Sequence, residues 1–137
     1  YGNKWIYMKN NLFMSVFFNL SSSMNLRKLT ITSCKIVKKS LFKILKIKIT
    51  IKKPNDLLIN NKKVCGILQE TYKIEKRLFL IIGVGVNTII SPKSKNIKAI
   101  SLKECGKATI YNYDILKKLK NKYEKTFFNY KLNKCLL

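Results

Sequence analysis

The chain has 137 residues, with 29 Lys and Arg against 6 Asp and Glu, a formal net charge of +23 and no His. This length holds one domain and not two full-sized ones, and 47% hydrophobic residues supply a real core, which excludes wholesale disorder. The absence of His excludes Ser-His-Asp triads, His-Cys zinc sites and imidazole acid–base chemistry.

Elements follow in chain order. Leu12–Leu20, aromatic-rich, reads as a strand, and Ser21-Ser22-Ser23 punctuates it. From about Leu29 to Leu45, Ile36, Val37, Leu41, Phe42 and Leu45 recur at helical spacing between lysines, which predicts an amphipathic helix packed on a sheet. Ile47, Ile49 and Ile51 alternate with Lys48, Thr50 and Lys52 as a strand does. Pro54-Asn55-Asp56 breaks it, Leu57-Leu58-Ile59 resumes it, Asn60-Asn61 supplies a hairpin turn, and Lys63–Leu68 runs back. Tyr72–Lys76 reads as a polar turn. Leu78–Val86 is expected to be a central strand, with Gly83 and Gly85 admitting a close approach to its backbone.

Pro92–Lys98 reads as a basic loop. Ser101 and Glu104 form a capping box for a short helix that Gly106 stops. Asn112 or Asp114 opens a longer helix, with Ile115, Leu116, Leu119, Tyr123, Phe127 and Tyr130 as its apolar stripe. The expected fold class is α+β, a mostly antiparallel sheet with helices on one face.

Charge and cysteines need separate readings. Only Arg27 and Arg77 among the cations are Arg, and Lys, Asn and Ile are all abundant, as A/T-rich codons would make them. We read most of the charge as composition bias. The rival reading, a nucleic-acid surface, is weakened because phosphate and groove recognition favour the planar fork of Arg. Cys34, Cys65, Cys105 and Cys135 show no CxxC spacing, which argues against zinc and redox motifs. The longest apolar stretch, Leu78–Val86, is far short of a bilayer span, and Tyr1-Gly2-Asn3-Lys4-Trp5 opens no signal peptide. These features predict reduced thiols in a cytoplasm. The missing initiator Met leads us to expect a fragment beginning inside a domain.

Three elements carry chemistry together: Lys52-Lys53-Pro54-Asn55-Asp56, then Lys62-Lys63-Val64-Cys65-Gly66-Ile67-Leu68-Gln69-Glu70, then Ile82-Gly83-Val84-Gly85-Val86-Asn87. The last is neither a dinucleotide fingerprint nor a P-loop. In this order and spacing they resemble the biotin–protein ligases, whose pattern is Lys-Trp-Pro-Asn-Asp, a hairpin with Lys-x-x-Gly-Ile-Leu-x-Glu, and Gly-x-Gly-x-Asn. Gly2-Asn3-Lys4-Trp5 and Asn11–Ser15 resemble the stretch after that family's Gly-Arg-Gly-Arg loop. The resemblance covers roughly Gly2 to Tyr130.

The resemblance implies the biotin–lipoate ligase fold, related to class II synthetases, with a partial catalytic domain over residues 1–131 and a tail over 132–137. It implies an enzyme that activates biotin with ATP and Mg²⁺ as biotinyl-5′-adenylate and passes it to a lysine of the biotin carboxyl carrier domain of acetyl-CoA carboxylase. A carboxylate attacking an α-phosphate needs cations and placed donors more than a base, which suits a chain without His. By the same resemblance Lys63, Lys52 and Asp56 are catalytic, with Lys63 on the biotin carboxylate and α-phosphate. Gly66 and Ile67 join Lys63 at biotin. Trp5 stacks on adenine, Asn87 reads its edge between Gly83 and Val86, and Asn55 stands at the nucleotide junction. Asp56 is a candidate to bind Mg²⁺, to orient Lys63 or to help the acceptor amine. Strand alternation puts Lys62 opposite Lys63.

The departures are Lys53 for the family's Trp, Asn3 for a frequent Arg, and the absence of the Gly-Arg-Gly-Arg loop, of upstream pocket elements and of a C-terminal barrel. The chain alone is therefore expected to be inactive, with an exposed sheet edge. The rivals are a lipoate or octanoate ligase of the same fold and a non-catalytic basic nucleic-acid-binding remnant.

Overall fold

The structure, a computed structural model, describes residues 6–20, 25–93, 96–106 and 111–132, with side chains as far as Phe127. Its elements are β1 (Leu12–Leu20), α1 (Leu26–Leu45), β2 (Thr50–Lys52), β3 (Asp56–Ile59), β4 (Lys62–Ile74), β5 (Arg77–Val86) and α2 (Asn112–Leu132). The strands form one sheet in the order β1-β5-β4-β3-β2, antiparallel at every step. The α+β expectation holds.

Strand alternation divides the sheet into two faces. Leu12, Met14, Val16 and Phe18 of β1 stand opposite Val86, Val84, Ile82 and Leu80 of β5, and Cys65 and Ile67 of β4 continue that face. This face is the core side. Phe18 stacks on Phe127 of α2 at 4.5 Å, and Gln69 donates to the Leu26 carbonyl of α1 at 3.1 Å. The opposite face carries Phe13, Ser15 and Phe17, then Gly85, Gly83, Ile81 and Phe79, then Gly66 and Leu68. Among the described residues neither helix covers it.

α1 starts three residues earlier than its apolar pattern suggests. Asn25 caps it, its side chain accepting from the Lys28 N–H at 3.1 Å. Its buried stripe is Leu29, Ser33, Cys34, Ile36, Val37, Ser40, Leu41 and Leu45. Phe42, expected in that stripe, is 49% exposed. Cys34 faces the β2–β3 turn, whereas Ser33 lies by Tyr123 of α2 and Ser40 at the seam with α2. Leu41→Ala is therefore expected to cost about 2–5 kcal/mol and Phe42→Ala less than about 1 kcal/mol, read from urea denaturation midpoints.

Two strands differ from expectation. The alternation at Ile47–Lys52 yields pairing only over Thr50–Lys52, because Lys46 in the left-handed region (φ 56°) ends α1 and Ile49 drops into the core. β4 runs through the expected turn at Tyr72–Lys76 as far as Ile74, and the turn is Glu75-Lys76, with Glu75 at φ 53°. This hairpin tip is solvated on both faces, so its residues show no hydrophobic alternation although Tyr72 pairs with Phe79. The Asn60-Asn61 turn forms as expected, at φ 49° and 60°.

Ser101 and Glu104 cap each other: the Glu104 Oε2 accepts from the Ser101 N–H at 2.7 Å and the Ser101 Oγ from the Glu104 N–H at 3.2 Å. These bonds hold the Glu104 carboxyl below its usual range. They frame a single turn, ended by Gly106 at φ 79°, in place of the expected short helix. On α2, Ile115, Leu119, Tyr123 and Phe127 are buried, and Leu116 is 37% exposed. α2 extends to Leu132, so the expected tail begins inside a helix; residues 133–137, Tyr130's side chain and Ser21–Ser23 lie outside the described residues. No described helix is long and apolar enough to cross a membrane.

Candidate functional site

The site grows from an irregularity in β4. Its register against β3 passes from Leu57↔Cys65 to Leu58↔Lys63, so Val64 is an extra residue with no partner on β3. Val64 is buried. Plain alternation would give Lys63 the core side, with Cys65. The bulge turns it to the open face, where Asp56 and Gly66 stand opposite each other. There the Lys63 Nζ lies 2.7 Å from the Asp56 Oδ1, both side chains about a quarter to a third exposed (31% and 24%). The backbone of Lys63 is fixed from the other side: its N–H donates to the Lys98 carbonyl at 2.8 Å and its carbonyl accepts from the Ile100 N–H at 2.9 Å.

A patch without side chains adjoins this pair. Gly66 of β4 is opposite Gly85 of β5, and Gly83 is opposite Leu68. A Cβ added at Gly83 would meet only ordinary contacts, with the Leu68 Cβ at 3.8 Å the nearest. The protein interior therefore does not demand glycine there. What its hydrogen leaves is room on the open face. Lys52, opposite Asp56 on β2, lies on the same face and is exposed. Lys63, Lys52, Asp56 and the glycine backbone, buried at Gly66 and Gly85, thus share the open face, which also carries Ser15 and Glu70.

The remaining expected residues fall into three groups. Asn55 pins the β2–β3 turn to β4: its Nδ2 donates to the Ile67 carbonyl at 2.7 Å, and the Ile67 N–H donates to the Asn55 carbonyl at 2.9 Å. Ile67 and Val86 point their side chains into the core, 1% exposed each, so the expectation of an Ile67 side chain at biotin is corrected by strand parity. The Asn87 Nδ2 donates to the Lys63 carbonyl at 3.3 Å and the Ile100 carbonyl at 3.4 Å, bracing the backbone that carries Lys63. Trp5, with Gly2 and Asn3, lies outside the described residues.

Sequence reasoning missed Asn11. This buried residue accepts at Oδ1 from the Ile89 and Ile90 N–H groups at 3.0 and 3.1 Å, and its Nδ2 donates to the Ile90 carbonyl at 2.7 Å. It ties the start of β1 to the segment leaving β5, next to Asn87. Its place just before the strand was the one available signal.

No group of three or more His, Cys, Asp or Glu converges among the described residues. Asp56 offers one carboxylate beside Asn55, which fits a Mg²⁺ held mainly by nucleotide phosphates and not by a protein cage. The thiols serve the core. Burial, helped by the Asp56 charge, pushes Cys34 from 9.0 up to about 11, and burial pushes Cys65 up further. In the folded protein, thiolate-specific labelling at about pH 8 should leave Cys34 and Cys65 unmodified until urea is added.

Comparison with known proteins places this geometry. Among solved structures, the biotin protein ligase from Aquifex aeolicus, in complex with biotin and ATP, superposes with a TM-score of 0.78 at 27% identity, over 90% of this chain and 53% of that one. The Leishmania major biotin protein ligase in complex with biotin gives 0.74 at 19% identity, over 88% of this chain and 56% of that one, a likeness of fold. A lipoate protein ligase from Thermoplasma acidophilum gives 0.65 at 15% identity, over 88% and 52%, again of fold. The chain thus spans about half the length of these relatives. No curated protein sequence matches it. The sequence pattern of the Biotin/lipoate A/B protein ligase family matches residues 1–87, and the chain belongs to that family.

Proposed function

We propose that this chain is the sheet-forming part of a biotin–protein ligase, acting in the whole protein on biotin, ATP and a biotin carboxyl carrier domain. The observation that carries the reading is the Lys63–Asp56 pair set beside the Gly66–Gly85 patch on the open face. The 27% identity with the Aquifex aeolicus enzyme supports biotin over lipoate.

In the first step a biotin carboxylate oxygen attacks the α-phosphorus of ATP, the bond to the β-phosphate oxygen breaks, and pyrophosphate leaves. Two anions must meet, so the step depends on positive charge held in place beforehand. Lys63 supplies it, and Asp56 fixes the ammonium's position. Lys52 faces the phosphates, and Asp56, with Asn55 beside it, is the group for Mg²⁺, which would neutralise phosphate charge when bound. The glycine patch takes biotin against the backbone. Adenine lies toward Gly83, the backbone of Val86 and Asn87, with Trp5 the residue to stack on it. In the second step the carrier's lysine amine attacks the acyl carbon of the mixed anhydride and AMP leaves.

The test is adenylate formation by the complete protein from radiolabelled ATP, with biotin and lipoate in competition. Biotin-dependent pyrophosphate release is expected. Preference for lipoate would transfer the assignment to the lipoate branch of the family.

A further inference from the structure

The bulge at Val64 turns two consecutive carbonyls the same way. Along a regular strand successive carbonyls point to opposite edges, whereas those of Lys63 and Val64 both meet Asn87. The Val64 carbonyl accepts from the Asn87 backbone N–H at 2.8 Å, one step past the Cys65–Val86 pair that ends the β4–β5 ladder. The Lys63 carbonyl accepts from the Asn87 Nδ2 at 3.3 Å and from the Ile100 N–H at 2.9 Å. The same Nδ2 donates to the Ile100 carbonyl at 3.4 Å, and the Asn87 carbonyl accepts from the Leu102 N–H at 2.8 Å. Residues 98–100, which run beside Lys63 through the parallel Lys63–Ala99 bridge, are thereby clipped to the bulge.

The amide of Asn87 is used up in this arrangement. A primary amide has two N–H donors, and here one meets Lys63 and the other Ile100. Its Oδ1 faces the Asn11 Nδ2 at 3.5 Å. Asn11 is buried and tied to Ile89 and Ile90 by three further bonds, so the amide of Asn87 is oriented from behind. No donor is left for the ring nitrogens of a base.

We propose that Asn87 is a positioning residue for Lys63. It holds the bulge that presents the ammonium to the open face, and the base of the nucleotide is recognised without its amide donors. This role rests on the ligase reading and deepens it.

Adenylation is measured as acid-dependent pyrophosphate release by the complete protein, with whichever acid, biotin or lipoate, the unaltered protein activates. Asn87→Ala is expected to lower kcat about 10–100-fold, the cost of a misplaced reacting group, with KM for ATP within about threefold. The preference for ATP over ITP, which lacks the adenine amino group, should stay within about twofold of its starting value. Once Lys63 is gone the brace has nothing to hold, so Lys63→Ala/Asn87→Ala should react within about twofold of Lys63→Ala alone. Thr88→Ala removes a neighbouring buried bond, from the Thr88 hydroxyl to the Asn10 carbonyl at 3.3 Å. It should lower the urea midpoint and leave kcat within about twofold, which separates bracing from lost stability. Asn87→Ser replaces the alanine variant where the latter does not fold, with the same outcome expected. The proposal is overturned if KM for ATP rises and the preference over ITP collapses while kcat holds, or if the Lys63 and Asn87 effects multiply. An unaltered protein that activates neither acid overturns the ligase reading and this role together; an active one with multiplying effects overturns this role alone.

Discussion

Lys63→Ala in the complete ligase is expected to slow biotinyl-adenylate formation by about 10²–10³-fold, the effect of removing one preorganised charge from a site of this type. Lys62→Ala should leave the rate within about twofold, because the bulge sends only Lys63 to the open face. The loss has two parts. The ammonium that neutralises the carboxylate and the α-phosphate disappears, and Asp56, 2.7 Å from it in the folded protein, is left as a bare negative charge beside two anions. Lys63→Arg should restore little, since a planar fork does not occupy the place of a compact ammonium. Folding stability should change by no more than about 1 kcal/mol, as the pair is partly solvated. Single-turnover adenylation and urea denaturation separate the two readouts. Equal effects at Lys62 and Lys63 would refute the face assignment.

The largest effect on stability outside the apolar core is expected at Asn11. Asn11→Ala removes the acceptor of two backbone N–H groups and the donor to the Ile90 carbonyl at once. Leaving such groups unpaired costs about 1–3 kcal/mol each where they are buried, and water reaches the half-exposed Ile90 end, so a loss of about 2–4 kcal/mol is expected. That is a large share of a typical stability of about 5–15 kcal/mol. Asn11→Asp keeps the acceptor but turns the 2.7 Å donation to Ile90 into a contact between two oxygens, so it should recover only part. Denaturation midpoints and hydrogen exchange at Ile89 and Ile90 provide the measurement.

Much of the fold is legible because burial is written as period. Leu12–Leu20, Leu78–Val86 and the stripes of α1 and α2 each match one repeat. The legible chemistry came from short strings, and the structure gathers Lys52, Asp56, Lys63, Gly66 and Gly83 on one face. Three things were not legible. The tip of the β4–β5 hairpin is wet on both sides and so carries no alternation. Phe42 has the spacing of a core residue, but spacing does not say how near the sheet lies. The bulge at Val64 leaves no mark in a string of residue types, since Val is as ordinary in a regular strand as at an inserted position.

That bulge makes the site a matter of counting. Every residue of the Lys63–Leu68 stretch can be kept, and the ligand face still lost, by inserting one residue between Leu57 and Leu58 of β3: Val64 then gains a partner, the strand resumes strict alternation, and the Lys63 ammonium is carried to the core side that Cys65 faces. Substitution at Val64 tests packing alone. A change of length by one is the mutation that exchanges the inside of this protein for its outside.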